Sequence, residues 1–80
     1  MDSITRIFDL IKRERIYQDQ KWGSIKENPH TIEEWIDIMN SGLRKARGHS
    51  LDVDSLGKII QVTAVACACL EQYEDELKSL

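Results

Sequence analysis

Eighty residues with a net charge of −3, 41% of them hydrophobic and 31% charged, bound the protein to a single domain, residues 1–80, around a small core. A chain this short buries only about 60% of its unfolded surface, so its stability is marginal unless disulfides, a metal or oligomerisation supplements the core. The mildly acidic balance argues against nucleic-acid and anionic-membrane binding, both of which draw on a basic surface.

The first predicted helix runs from about Ser3 to Trp22, with Asp2 or Ser3 able to cap its start. Ile4, Ile7, Phe8 and Ile11 recur at helical spacing on one face, with Leu10 beside them. Asp9 with Arg13, and Arg15 with Asp19, are opposite charges at i,i+4, each pair worth about 0.2–0.5 kcal/mol. Gly23 ends the segment, and Pro29 breaks the loop "GSIKENPH". The N-terminus lacks the basic start and apolar centre of a secretion signal, and no apolar run reads as long enough to span a bilayer. A cytoplasmic protein without membrane contact is therefore expected.

The second helix is predicted over about 31–47. Thr31 and Glu34 form a T-x-x-E capping box, in which each side chain takes up a backbone N–H of the other residue. Ile32, Trp35, Ile36, Met39 and Leu43 make an apolar stripe that Ala46 continues. Arg44, Lys45 and Arg47 fall in the last turn, where cations complement the helix dipole. Gly48 suits the left-handed position just beyond the end.

"HSLDVD" then connects to a third helix, about 55–79, with Asp54 as the expected N-cap. Its centre, "IIQVTAVACACL", is apolar or small at nearly every position, and a helix apolar all round is buried all round. Two other helices of one short chain can hardly enclose it. The expected assembly is an oligomeric helical bundle, dimer or tetramer, with Ile59, Ile60, Val62, Val65, Ala66, Cys69 and Leu70 at the interface. Cys67 and Cys69 point about 200° apart on this helix, too divergent to share a bond or a metal, and read as small buried residues.

The sequence holds no Gly-rich phosphate loop, no Gly-x-Ser-x-Gly elbow and no His-x-x-x-His pair. His30 and His49 each stand alone beside a helix end, the usual place of a structural or solvated histidine. The remaining enzyme class is hydrolysis with Mg²⁺ held by carboxylates, which needs acids at i and i+3 or i+4 on facing helices. Glu33, Glu34 and Asp37 are the candidates for such catalysis. Against them, Glu34 has a capping role, and the third helix offers no acid between Asp54 and Glu71.

Three stretches in order, "ERIYQDQKWG" (Glu14 to Gly23), "HTIEEW" (His30 to Trp35) and "IIQVTAVACACLE" (Ile59 to Glu71), resemble the MazG-like, all-α nucleoside triphosphate pyrophosphatase superfamily, in particular its small phage and bacterial members. The resemblance implies a helical fold, oligomeric assembly and Mg²⁺-dependent cleavage of nucleotides to monophosphate and pyrophosphate. It also implies two acidic ligand pairs, and here the chain departs. Asn40, Ser41, Gly42 and Lys45 stand at the family's first acidic cluster, and Lys58 and Gln61 at the second.

The reading that follows is a small MazG-like helical oligomer that has lost its metal site and acts as a non-catalytic binding or regulatory module. A phage, mobile-element or accessory gene is the source the resemblance suggests. Arg44, Lys45 and Lys58 are candidate phosphate-binding groups, with a nucleotide as candidate ligand and no metal. One alternative is an active Mg²⁺-dependent pyrophosphohydrolase with a rearranged site, drawing Asp52, Asp54, Glu71 or Glu74 from a partner chain. The other is a purely structural interaction module.

Overall fold

The computed structural model describes residues 2–47 and 53–80. The fold class is all-α: α1 (Ser3–Trp22), α2 (Ile32–Arg47), α3 (Val53–Gln72) and a single turn, α4 (Glu74–Leu77). Gly48, His49 and Asp52, with most of the connector before α3, lie outside the described residues.

The helix ends follow from local chemistry. Thr5 N donates to Asp2 Oδ1 at 2.9 Å, so Asp2 is the cap, and this hydrogen bonding holds its carboxyl below the ordinary range. At the other end of α1, Gly23 has φ +87°, a conformation that favours glycine, and its N–H closes on Asp19 O at 2.9 Å. A Cβ there would also meet Asn28 Nδ2 at 2.6 Å, and that amide donates to Trp22 O.

The capping box of α2 forms in both directions. Thr31 N donates to Glu34 Oε1 at 2.8 Å, and Glu34 N donates to Thr31 Oγ1 at 3.1 Å. The backbone bond from Thr31 leads in lowering the Glu34 pKa. A carboxyl lowered on folding stabilises the native state above its unfolded pKa, and that contribution vanishes as pH falls through the folded value. Thr31→Ala is therefore expected to cost about 1 kcal/mol at neutral pH. Glu34→Gln, which removes the titrating carboxylate, should shrink the stability that the wild type loses as pH falls through the carboxylate range, as measured by urea titration.

The third helix departs from expectation at both ends. It starts at Val53, which puts Asp54 inside the first turn instead of at the cap, still where a negative charge suits the dipole. It also does not run to residue 79. The helix breaks at Tyr73, whose backbone leaves the helical region (φ −106°, ψ 28°) while its hydroxyl reaches His30 O at 3.4 Å. Moreover, by length and hydropathy α3 is long and apolar enough to cross a membrane, contrary to the reading that no run is; in the fold it packs against both other long helices.

Both α1 and α2 lie against α3 and not against each other, so α3 is the middle element and a groove stays open between the outer two. Where α2 meets α3, a Cβ on Gly42 would stand 2.5 Å from Val62 Cγ2, so glycine permits this approach. The core is slight: Trp35, Ala68 and Cys69, flanked by Ile25, Met39, Val65 and Tyr73. Only part of the predicted α2 stripe turns inward. Trp35 and Ala46 are buried and Met39 half-buried, while Ile32, Ile36 and Leu43 are exposed. On α1 the expected apolar face (Ile4, Ile7, Phe8) is exposed, Ile11 is half-buried, and the buried residue is the polar Gln18.

Candidate functional site

Two adjoining clefts of about 450 and 430 Å³ occupy the groove between α1 and α2, floored by α3, and share Gln18, Trp22, Ile38 and Val65. The first is the aromatic end, where Trp22, Ile25, His30 and Trp35 supply the walls. The second is the polar end, lined by Asp37, Ser41 and Lys45 from α2 and by Lys58 and Gln61 from α3.

The aromatic end is built on Gln72. Its Oε1 accepts from Trp35 Nε1 and from His30 N, both at 3.0 Å, and its Nε2 donates to His30 O at 2.6 Å. One side chain thus satisfies the buried indole and ties the segment before α2 to the end of α3. His30 stands edge-on to Trp35, ring centroids 4.7 Å apart. The histidine is accordingly a packing element here, as its isolated position beside a helix end suggests.

Hydrogen bonds join α1 to α3 along the other wall. Gln18, 5% exposed, donates from Nε2 to Gln61 O and to Glu14 Oε2, each at 3.1 Å. Arg15 reaches across the same interface, with Nη1 on Asp19 Oδ1 at 2.5 Å and Nε on Glu71 Oε2 at 2.6 Å. Burial by itself would lower the Arg15 pKa, but its bonds to Asp19 and Glu71 outweigh this and raise it, so the guanidinium stays charged. The i,i+4 pairs Asp9–Arg13 and Arg15–Asp19 both form.

The candidate catalytic acids do not converge. Glu33 is exposed and lines neither cleft, Glu34 is held in the capping box, and Asp37 alone of the three faces the polar cleft. Among the described residues there is no group of three or more His, Cys, Asp or Glu side chains that could hold a metal. Of the other acids considered, Asp54 and Glu74 are exposed, and Glu71 is bonded to Arg15.

The basic candidates divide. Lys45, itself exposed, and the half-buried Lys58 line the polar cleft, while the exposed Arg44 and Arg47 do not. Ser41, Gly42, Lys45, Lys58 and Gln61 all line this one cleft; Asn40 does not. The interface candidates also divide. Ile59 and Leu70 are exposed, Ile60, Val62, Val65 and Ala66 are half-buried, and Cys69 is buried in the core. Burial raises the Cys69 thiol pKa, which keeps it protonated and inert, and Cys67 is likewise a free thiol. Sequence reasoning missed Gln18 and Gln72, because nothing local distinguishes a glutamine that will be buried from one that will be solvated.

No family model, no curated protein and no solved structure matches the chain.

Proposed function

We propose that the protein is a non-catalytic relative of the MazG-like nucleoside triphosphate pyrophosphatases, which binds the polyphosphate of a nucleotide directly through lysines, without a metal, as a binding or regulatory module. The observation that supports this reading is the composition of the polar cleft. Two amines, Lys45 and Lys58, line it together with the hydrogen-bonding side chains of Ser41 and Gln61, and among the described residues the one carboxylate there is Asp37. Two ammonium groups lining one cleft would oppose a divalent cation and favour phosphate oxygens. The aromatic end of the groove, walled by Trp22 and Trp35, adjoins the lysines and offers a flat apolar surface for the rest of the ligand.

Calorimetric titration with inorganic tripolyphosphate and with a panel of nucleoside triphosphates, in the presence of a chelator, tests the reading. Binding is expected to persist without metal and to weaken about tenfold or more in either Lys45→Ala or Lys58→Ala, each of which removes a charge-assisted hydrogen bond of about 1.5–3 kcal/mol. The absence of any binding would favour the purely structural alternative. Magnesium-dependent release of pyrophosphate, lost in Asp37→Asn, would favour the active enzyme.

A further inference from the structure

Lysines that hold phosphate leave Asp37 without a role. It lines the polar cleft, it is exposed, and among the described residues it makes no hydrogen bond or ion pair. Nothing in the fold therefore accounts for a carboxylate at this position.

Its place along the groove is more informative. Asp37, Ser41 and Lys45 line the cleft from successive turns of α2, about 6 Å apart along the axis. The row passes from a negative charge through a hydroxyl to a positive charge. Asp37 stands at the end nearer the aromatic cleft, because its neighbour Ile38 lines both clefts and so does Trp22 across the groove. Lys45 lies two turns further on, about 12 Å along the helix. That separation exceeds the screening length of about 8 Å at physiological ionic strength, so Asp37 does not neutralise the lysine.

An ionised carboxylate only accepts hydrogen bonds, so what it meets must donate them. The phosphates of a nucleotide are acceptors of like charge and are excluded from Asp37. The base takes the apolar wall at Trp22, which suits a stacked ring. Between base and phosphates lies the sugar, whose hydroxyls are uncharged donors. The two vicinal hydroxyls of ribose match the two oxygens of one carboxylate, the pairing by which an acidic residue reads ribose in dinucleotide folds. A 2′-deoxy sugar forfeits one of these bonds.

We propose that Asp37 reads the sugar, accepting hydrogen bonds from the vicinal hydroxyls of ribose, so that the groove selects ribonucleotides over their 2′-deoxy forms, an assignment that rests on the nucleotide reading of the groove. The order of groups along α2 then follows the order of parts in the ligand: base at the aromatic end, sugar at Asp37, phosphates at Lys45 and Lys58.

Calorimetry in the presence of a chelator tests it, with inorganic tripolyphosphate and with ATP, GTP, CTP and UTP beside their 2′-deoxy counterparts. For each base that binds, the wild type is expected to hold the ribose form about tenfold or more tightly, the value of one hydrogen bond to a charged group. Asp37→Ala should bring the two forms within about twofold of each other. Alanine is the residue most favourable to an exposed helical position, so this variant keeps α2, and circular dichroism checks that it does. Tripolyphosphate carries no sugar and reads the lysine end by itself. A wild type that binds it but holds ribose and deoxyribose forms equally would overturn the role of Asp37 and leave the phosphate site standing. A ribose preference that survives in Asp37→Ala would overturn it as well. A ribose preference lost in Asp37→Ala, in a chain that does not bind tripolyphosphate, would uphold the sugar contact and remove the lysine site. Failure of every nucleotide to bind would overturn both.

Discussion

Replacement of Trp35 by alanine is expected to remove about 3–5 kcal/mol of stability, close to the whole stability of a chain this size. Trp35 is 6% exposed and is the largest buried hydrophobic among the described residues, the others being Ala46, Ala64, Ala68 and Cys69. Its loss leaves a void that three short helices cannot close. It also strips Gln72 Oε1 of one donor and His30 of its edge-on ring partner. Gln72→Ala separates the two contributions. It keeps the indole but leaves its N–H without an acceptor and removes both Gln72 bonds to the His30 backbone, at an expected cost of about 1–3 kcal/mol. Urea unfolding followed by tryptophan fluorescence for Gln72→Ala, and by circular dichroism for both variants, measures the ordering. A Trp35→Ala chain as stable as the wild type would mean that this cluster is not what holds α2 to α3.

The second large effect concerns the polar cleft. Replacing Ser41, Lys45, Lys58 and Gln61 together by Glu, Glu, Glu and Asp is expected to abolish tripolyphosphate binding and to create affinity for Mg²⁺ or Mn²⁺. Each lysine reversal turns an attraction to phosphate into a repulsion of equal size, about 4 kcal/mol at about 4 Å and an effective dielectric of about 20, before solvent relaxation. After relaxation, the loss of two charge-assisted hydrogen bonds at about 1.5–3 kcal/mol each still predicts a weakening of 100-fold or more. The same four substitutions supply acids on two facing helices that line one cleft, the donor set a hard divalent cation needs. Electron paramagnetic resonance of added Mn²⁺ reads the gain, and calorimetry reads the loss. Unchanged polyphosphate binding would remove Lys45 and Lys58 from the proposed site.

Both effects depend on where α2 meets α3. Gly42 stands against Val62 so closely that a Cβ would force one of them to move. That approach brings Ser41 and Lys45, one turn apart on α2, to the same cleft as Lys58 and Gln61 on α3. The glycine therefore belongs with the site although it offers no functional group.

What the sequence by itself determined is the part of the structure held by neighbours in the chain. Asp2 on Thr5, Thr31 with Glu34, and Gly23 closing on Asp19 are all bonds over three or four residues. The bounds of α1, and of α2 after its cap, follow directly from them. The i,i+4 ion pairs are of the same kind. Which faces would find partners was decided only by the tertiary structure. The hydrophobic periodicity of α1 marks Ile4, Ile7 and Phe8, yet the α1 side chain that is buried is Gln18, because its amide meets a carbonyl on α3 far away in sequence. Nothing local in the sequence marks the end of α3 at Gln72, whereas the tertiary bond from Tyr73 to His30 accompanies its break. Gln72 looks like any surface glutamine until the fold brings Trp35 and His30 to it. The same holds for the candidate site. Lysines at positions 45 and 58 are visible in the chain, but their meeting in one cleft is set by the packing of two helices, and residues that far apart carry no periodic signal of their contact.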